Sequence, residues 1–209
     1  MKNYKTIPDC KVTLVGDSGV GKSCIIGRYI SGIFRNDSLS SASANYSQKI
    51  FENKNERLRL NIWDTAGQEK FRALGRNFYK DAYIICIVFD ITNKQSFENV
   101  KEVWYPEIQN YGEKNNILSI VGNKFDLYED EEVNEKEIKF FAEQIGGKYF
   151  LVSAKNGKGI DEMFKTLAKM YLSPNFRNKL NESRRSSIRS SVQLNRKLLN
   201  KRNKKENCC

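Results

Sequence analysis

The stretch 16-GDSGVGKS-23 stands between an apolar run, 11-KVTLV-15, and a helix-like segment, 22-KSCIIGRYIS-31. It fits the spacing G-x-x-x-x-G-K-[ST] with Gly16, Gly21, Lys22 and Ser23. A chain places glycines there only if its backbone must bend through positive φ or approach something closely, and Gly19 and Gly21 allow both. The N–H groups of Ser18, Gly19, Val20, Gly21 and Lys22 can then turn inward on phosphate oxygens, with Asp17 and Cys24 flanking the cradle. The helix that follows aims the positive end of its dipole at the same anion. Lys22 reaches the β/γ oxygens, and Ser23 offers a hydroxyl to Mg²⁺. The competing reading, a glycine-rich turn, leaves the lysine and the hydroxyl unexplained.

Buried-looking runs at 12-VTLV-15, 83-YIICIVF-89, 117-ILSIV-121 and 149-YFLV-152 alternate with helix-like segments at 22–31, 95–111, 134–145 and 159–172. That alternation predicts an α/β fold with a parallel sheet covered on both faces. The strictly alternating 57-RLRLNIW-63, preceded by 46-YSQKIFE-52 across 53-NKNE-56, predicts a hairpin and so one antiparallel edge. Ser96 and Asn134 are candidate helix caps, Gly146-Gly147 a helix end, and Pro106 a kink. The domains expected are an arm at 1–9, a globular domain at 10–173 and a tail at 174–209 rich in Asn, Ser, Arg and Lys and expected to be disordered.

Three further stretches specify the ligand. In 64-DTAGQE-69, Asp64 ends a strand and suits a hold on Mg²⁺ through water. Gly67 lets a backbone N–H approach the γ-phosphate, and Gln68 can orient an attacking water. In 122-GNKFD-126, the Asp126 carboxylate can accept both N1–H and N2–H₂ of guanine and would repel adenine. Asn123 can brace the loop and meet the ring, and the stem of Lys124 can lie over it. In 153-SAK-155 (Ser153, Ala154, Lys155), the Ala154 N–H is placed to meet guanine O6. The chain has no histidine, which excludes imidazole bases and most catalytic zinc chemistry. The cysteines show no spacing of a disulfide framework or a zinc site.

With these motifs in order, residues 10–172 resemble the Ras superfamily of small GTPases, and within it the Rab family. The resemblance is carried also by 59-RLNIWDTAGQEKF-71, 78-FYKDA-82, 87-IVFDIT-92, 95-QSFENV-100 and the final Cys-Cys. It implies a P-loop NTPase G domain, with a six-stranded, mostly parallel sheet, one antiparallel edge strand and five helices. It implies binding of GTP and GDP with Mg²⁺ and slow hydrolysis that switches two loops, in an enzyme of vesicle traffic. It implies that Phe34 stacks on guanine and that Tyr46, Trp63 and Phe78 form an effector patch. Those three rings could equally be core, although Trp63 falls on the face opposite Leu58, Leu60 and Ile62. The chain departs from the family in the first switch loop. Aligned without gaps, Ser41 replaces the threonine that binds Mg²⁺, and Ser40 is the other candidate. A GTP-binding scaffold with little hydrolysis is therefore the alternative, and a P-loop nucleotide kinase a distant third, because it would lack 64-DTAGQ-68 and 123-NKFD-126.

The net charge is +11, and the segment from Arg177 onward, with 11 Lys/Arg against Glu182 and Glu206, carries +9 of it. Such a tail seeks phosphate-rich surfaces. It has no aromatic residue after Phe176 to stack on bases, which argues against nucleic acid. In the resembled family a terminal Cys208-Cys209 carries two lipids, which with the basic run gives stable anchoring to an anionic leaflet. The chain is expected as a monomer cycling between the cytosol and the cytosolic face of an endomembrane. Its expected partners are an exchange factor, a GTPase-activating protein, a GDP dissociation inhibitor and effectors. The N-terminal MKNYKTIPDC has no apolar signal region, which also predicts the cytosol. The serines of 184-RRSSIRSS-191 could lower the tail's charge if phosphorylated, or be a plain linker.

Overall fold

The computed structural model describes residues 7–34, 45–53, 56–65 and 78–182. Six strands form one sheet in the order β2-β3-β1-β4-β5-β6. They are β1 (Asp9–Val15), β2 (Asn45–Asn53), β3 (Glu56–Asp64), β4 (Ile84–Asp90), β5 (Ile117–Asn123) and β6 (Lys148–Leu151). β2 pairs antiparallel with β3, and every other pairing is parallel. The expected edge hairpin is therefore present, with β2 as the edge.

Every residue of β4 and β5 is buried, the signature of parallel strands covered on both faces. In β3 burial alternates, with Leu58, Leu60 and Ile62 at 0–1% exposure and Trp63 on the other face. Helices α1 (Lys22–Ser31) and α5 (Ile160–Leu172) meet through Tyr29 and Phe164, whose rings stack 3.8 Å apart. The other main cluster gathers Ile85, Ile87 and Phe89 of β4 with Ile120 of β5 under Phe97, Val100, Ile108 and Ile138. Burying side chains of this size stabilises by about 1.5–3 kcal/mol each.

Helix α2 (Lys94–Asn99), a π-helical turn (Val100–Trp104) and α3 (Tyr105–Tyr111) run without a break. Asn93 caps α2 by accepting from the Ser96 N–H, so the cap lies three residues before the expected Ser96. The Ser96 hydroxyl instead accepts the N–H of Asp90 at the end of β4. Pro106, the expected kink, opens α3. Proline has no N–H and its ring would meet the carbonyl four residues back, so the preceding turn widens rather than breaks. Tyr105 N–H accordingly reaches back five residues to the Val100 carbonyl. Helix α4 (Glu135–Gln144) is capped by Asn134, whose side chain accepts from the Lys136 N–H.

Contacts divide the chain into two units, Met1–Tyr171 and Leu172–Cys209. Of the second, residues 174–182 are helical after a bend at Ser173, where an unstructured tail was expected to begin. Among the described residues, no helix is long and apolar enough to cross a membrane.

Candidate functional site at the carboxyl ends of the strands

Strand order reverses about β1: the chain leaves it toward β3 on one side and β4 on the other. In such sheets the carboxyl ends of the parallel strands frame a crevice. Four motifs end up there. The loop 16–21 follows β1, Asp64 closes β3, Asp90 closes β4, and Asn123 closes β5. Register sets them side by side, with Leu14 opposite Asp64 and Asp90 opposite Asn123.

The loop is bent as its composition requires. Gly21 caps α1 at φ +93° and Gly16 sits at φ +141°. A Cβ on Gly16 would lie 2.1 Å from the Val88 carbonyl oxygen, backbone that cannot step aside. We expect Gly16→Ala to destabilise the domain by about 3 kcal/mol, a melting-temperature loss of roughly 6–12 °C by calorimetry. Unchanged melting would contradict this packing.

Lys22 is 5% exposed, and its ammonium donates to the carbonyls of Gly16 and Asp17, each at 2.7 Å. Burial lowers its pKa from 10.5 to about 8, against the opposing pull of Asp64 and Asp17. The Ser23 hydroxyl donates to Asp64 Oδ2 at 2.5 Å. A hydroxyl and a carboxylate, both hard oxygen donors and both beside the anion cradle, fit Mg²⁺. Among the described residues no group of three or more acidic, Cys or His side chains converges. The ion would therefore depend on these two donors together with phosphate oxygens, as Mg²⁺ commonly does. Cys24, next in line, keeps its proton, because burial and then Asp64 raise its pKa.

Asn123 joins the loops. It is 2% exposed, its Nδ2 donates to the Val20 carbonyl at 2.8 Å, and its Oδ1 accepts the Ala154 N–H at 3.1 Å. These two bonds link the loop 16–21 to the segment that follows β6. The Ala154 N–H, expected to meet a guanine oxygen, is directed at Asn123. A Cβ on Gly21 would come 2.3 Å from Asn123 Nδ2, so that glycine also serves this junction. Lys124 adopts a left-handed conformation, φ +65°, and its ammonium pairs with Asp90. Asp126 is the second residue of the 3₁₀ turn Phe125–Asp130. Its Oδ1 accepts from the Ser153 hydroxyl at 2.6 Å, and its Oδ2 lies 3.7 Å from the Lys155 ammonium.

Three participants escaped the sequence reading. Arg28 of α1 donates through Nε to the Ala154 carbonyl at 2.8 Å, and its other nitrogens reach the carbonyls of Lys155 and Gly32. It also lies 6.0 Å from the centre of the Phe34 ring. Asp90 holds Lys124, and Lys158 covers the Phe125 ring at 4.5 Å. Isolated charges 30 or more residues from the motifs they support carry no local signal; only the fold joins them. Tyr46 and Trp63 touch edge to face at 5.3 Å; Tyr46 is exposed, and Trp63 and Phe78 are half-buried. Ser40, Ser41, Gly67, Gln68, Cys208 and Cys209 lie outside the described residues.

The Ras family model matches residues 11–173. The chain is 38% identical over 160 residues to Ras-related protein Rab-26 of Rattus norvegicus, covering 76% of this chain and 62% of that one. Its mouse counterpart, from Mus musculus, is equally similar, with 61% of its length covered. Ras-related protein Rab-1 of Theileria parva is 36% identical over 169 residues, covering 81% of this chain and 76% of that one. The chain belongs to the Rab branch of the Ras family. It spans about three-fifths of the length of the Rab-26 relatives. In this Rab-family chain the matched region holds every strand of the sheet, apart from Asp9 and Cys10 at the start of β1, and every loop described above.

Proposed function

We propose that this Rab-family chain binds GTP and GDP with Mg²⁺, hydrolyses GTP slowly, and alternates between two loop states read by effectors. One observation carries the reading: the Asn123 amide ties the phosphate loop to the segment that holds Asp126 in place. A single ligand with phosphates at one end and a purine at the other would span that junction.

Within it, inward N–H groups and the α1 dipole hold phosphate oxygens, and the Lys22 ammonium neutralises them. Bound Mg²⁺ supplies charge neutralisation at the phosphates, held by Ser23, by Asp64 and by Ser41 or Ser40. Asp126 accepts two guanine donors and places a repulsive oxygen against adenine. Lys124 lies along the ring, and Phe34 stacks near it. Gln68 orients water, and Gly67 offers its N–H to the γ-phosphate. The motifs 16-GDSGVGKS-23, 64-DTAGQE-69, 122-GNKFD-126 and 153-SAK-155 contain no arginine, so turnover waits on a partner's arginine.

Cys208 and Cys209 carry lipid and the basic tail adds attraction to an anionic cytosolic leaflet, so that the protein cycles between cytosol and an endomembrane. An exchange factor, a GTPase-activating protein, a GDP dissociation inhibitor and effectors are its partners, the last at Tyr46, Trp63 and Phe78. A second reading, a scaffold with little hydrolysis, is favoured by the serines standing where the family has threonine.

The test is the nucleotide content of the purified protein, followed by multiple-turnover hydrolysis with and without Gln68→Leu. We expect bound guanine nucleotide and slow hydrolysis that falls at least tenfold in the variant. Bound adenine nucleotide would reject the base assignment. Guanine nucleotide without measurable turnover would select the scaffold.

A further inference from the structure

The phosphate loop carries an acidic side chain, Asp17, at the edge of a cradle built for anions. An unrestrained carboxylate there would repel the ligand. It is instead held on both oxygens: Trp104 Nε1–H donates to Oδ1 at 2.8 Å, and Asn99 Nδ2 donates to Oδ2 at 2.7 Å. The Asn99 amide is itself oriented, because Gln95 Nε2 donates to its oxygen at 3.1 Å. Through its carbonyl the same Asp17 accepts the Lys22 ammonium. One residue therefore links the helical run 94–111 to the lysine of the loop.

The π-helical turn makes this possible. Asn99 and Trp104 are five residues apart, and on an α-helix side chains so spaced point about 140° away from each other. In a turn closed by a five-residue hydrogen bond they return to nearly the same side. The turn lies at Val100–Trp104, between the two donors.

We propose that Asn99 and Trp104 are positioning residues that set how long nucleotide is retained, by turning the Asp17 carboxylate away from the phosphates and fixing the carbonyl that holds Lys22. This rests on the reading of the loop as a guanine-nucleotide site.

The experiment loads the full chain with a fluorescent GDP in Mg²⁺ buffer and follows its release on adding excess GDP. Asn99→Asp sets a second carboxylate against Asp17, and we expect release about tenfold faster. Adding Asp17→Asn restores a donor–acceptor pair with the polarity reversed, so the double variant should release within about twofold of wild type. A filler role for Asn99 would give no such rescue, and its absence overturns the proposal. If Asn99→Asp does not fold, Trp104→Phe decides. It should speed release about fivefold alone and add nothing in an Asp17→Ala background. Additive effects there overturn the proposal. Wild-type protein that never retains guanine nucleotide overturns the site reading itself, a result distinct from variants that retain it as wild type does.

Discussion

Asp126→Ala should raise the dissociation constant for GTP by about 10²–10⁴-fold while leaving weak ATP binding unchanged or slightly improved. Two guanine donors lose a charged acceptor, and hydrogen bonds to charged groups contribute about 1.5–3 kcal/mol each. The proposed discrimination needs a carboxylate that stays in place. It does not swing freely, since the Ser153 hydroxyl at 2.6 Å and the Lys155 ammonium at 3.7 Å hold it from two sides. A fixed acceptor matches one donor pattern and penalises another, whereas a mobile one accommodates both. Ser153→Ala should therefore give a smaller loss of the same kind, with selectivity falling more than phosphate affinity. Titration calorimetry with GTP and ATP measures both. If GTP remains preferred as strongly in Asp126→Ala as in wild type, the base-reading assignment is wrong.

Lys22→Ala should cost about 10²–10³-fold in affinity for GTP and GDP alike, because the proposed partners of the ammonium are phosphates and not the base. The wild-type lysine adds a pH signature. Its ordinary pKa is 10.5, and burial lowers it to about 8 in the fold. Between those two values the unfolded chain holds a proton that the folded chain has released. The lysine therefore penalises folding at pH below about 8, and the penalty is relieved as pH rises from 8 toward 10.5. The gap amounts to about 3 kcal/mol. Phosphate reverses the preference by favouring the ammonium. GDP affinity should then fall about tenfold per pH unit above 8, with close to one proton taken up per GDP bound at pH 9. Calorimetry at pH 9 in two buffers of different ionisation enthalpy reads the uptake. Equal apparent enthalpies in both buffers would show that Lys22 is already charged before binding.

Much of this site is legible in the chain because its parts are local. A phosphate loop must be contiguous, since successive N–H groups have to converge within one turn. The strand before it and the helix after it announce themselves by apolar pattern, and β1 and α1 occupy those positions. Asp64 and Asn123 also close strands, as their places after apolar runs indicate. Other expectations moved. The α2 cap shifted to Asn93 because Ser96 is drawn to the Asp90 N–H, a contact that exists only once β4 and α2 are packed. Pro106 was readable as a disturbance, but not as a π turn that aligns Asn99 with Trp104. The helix at 174–182 lies in a polar stretch where only Phe176 and Leu180, four residues apart, mark an apolar side.

The chain by itself determined the residue types proposed to meet phosphate, metal and guanine, and the alternation that makes a parallel sheet. These follow from backbone conformation and side-chain chemistry, which act over a few residues. The tertiary structure decided which distant groups hold those residues still: Asn123 on Val20 and Ala154, Arg28 on the same loop, and Trp104 with Asn99 on Asp17. Hydrogen bonds are short-ranged and directional, so a partner 80 residues away leaves no trace in sequence until packing brings it within about 3 Å.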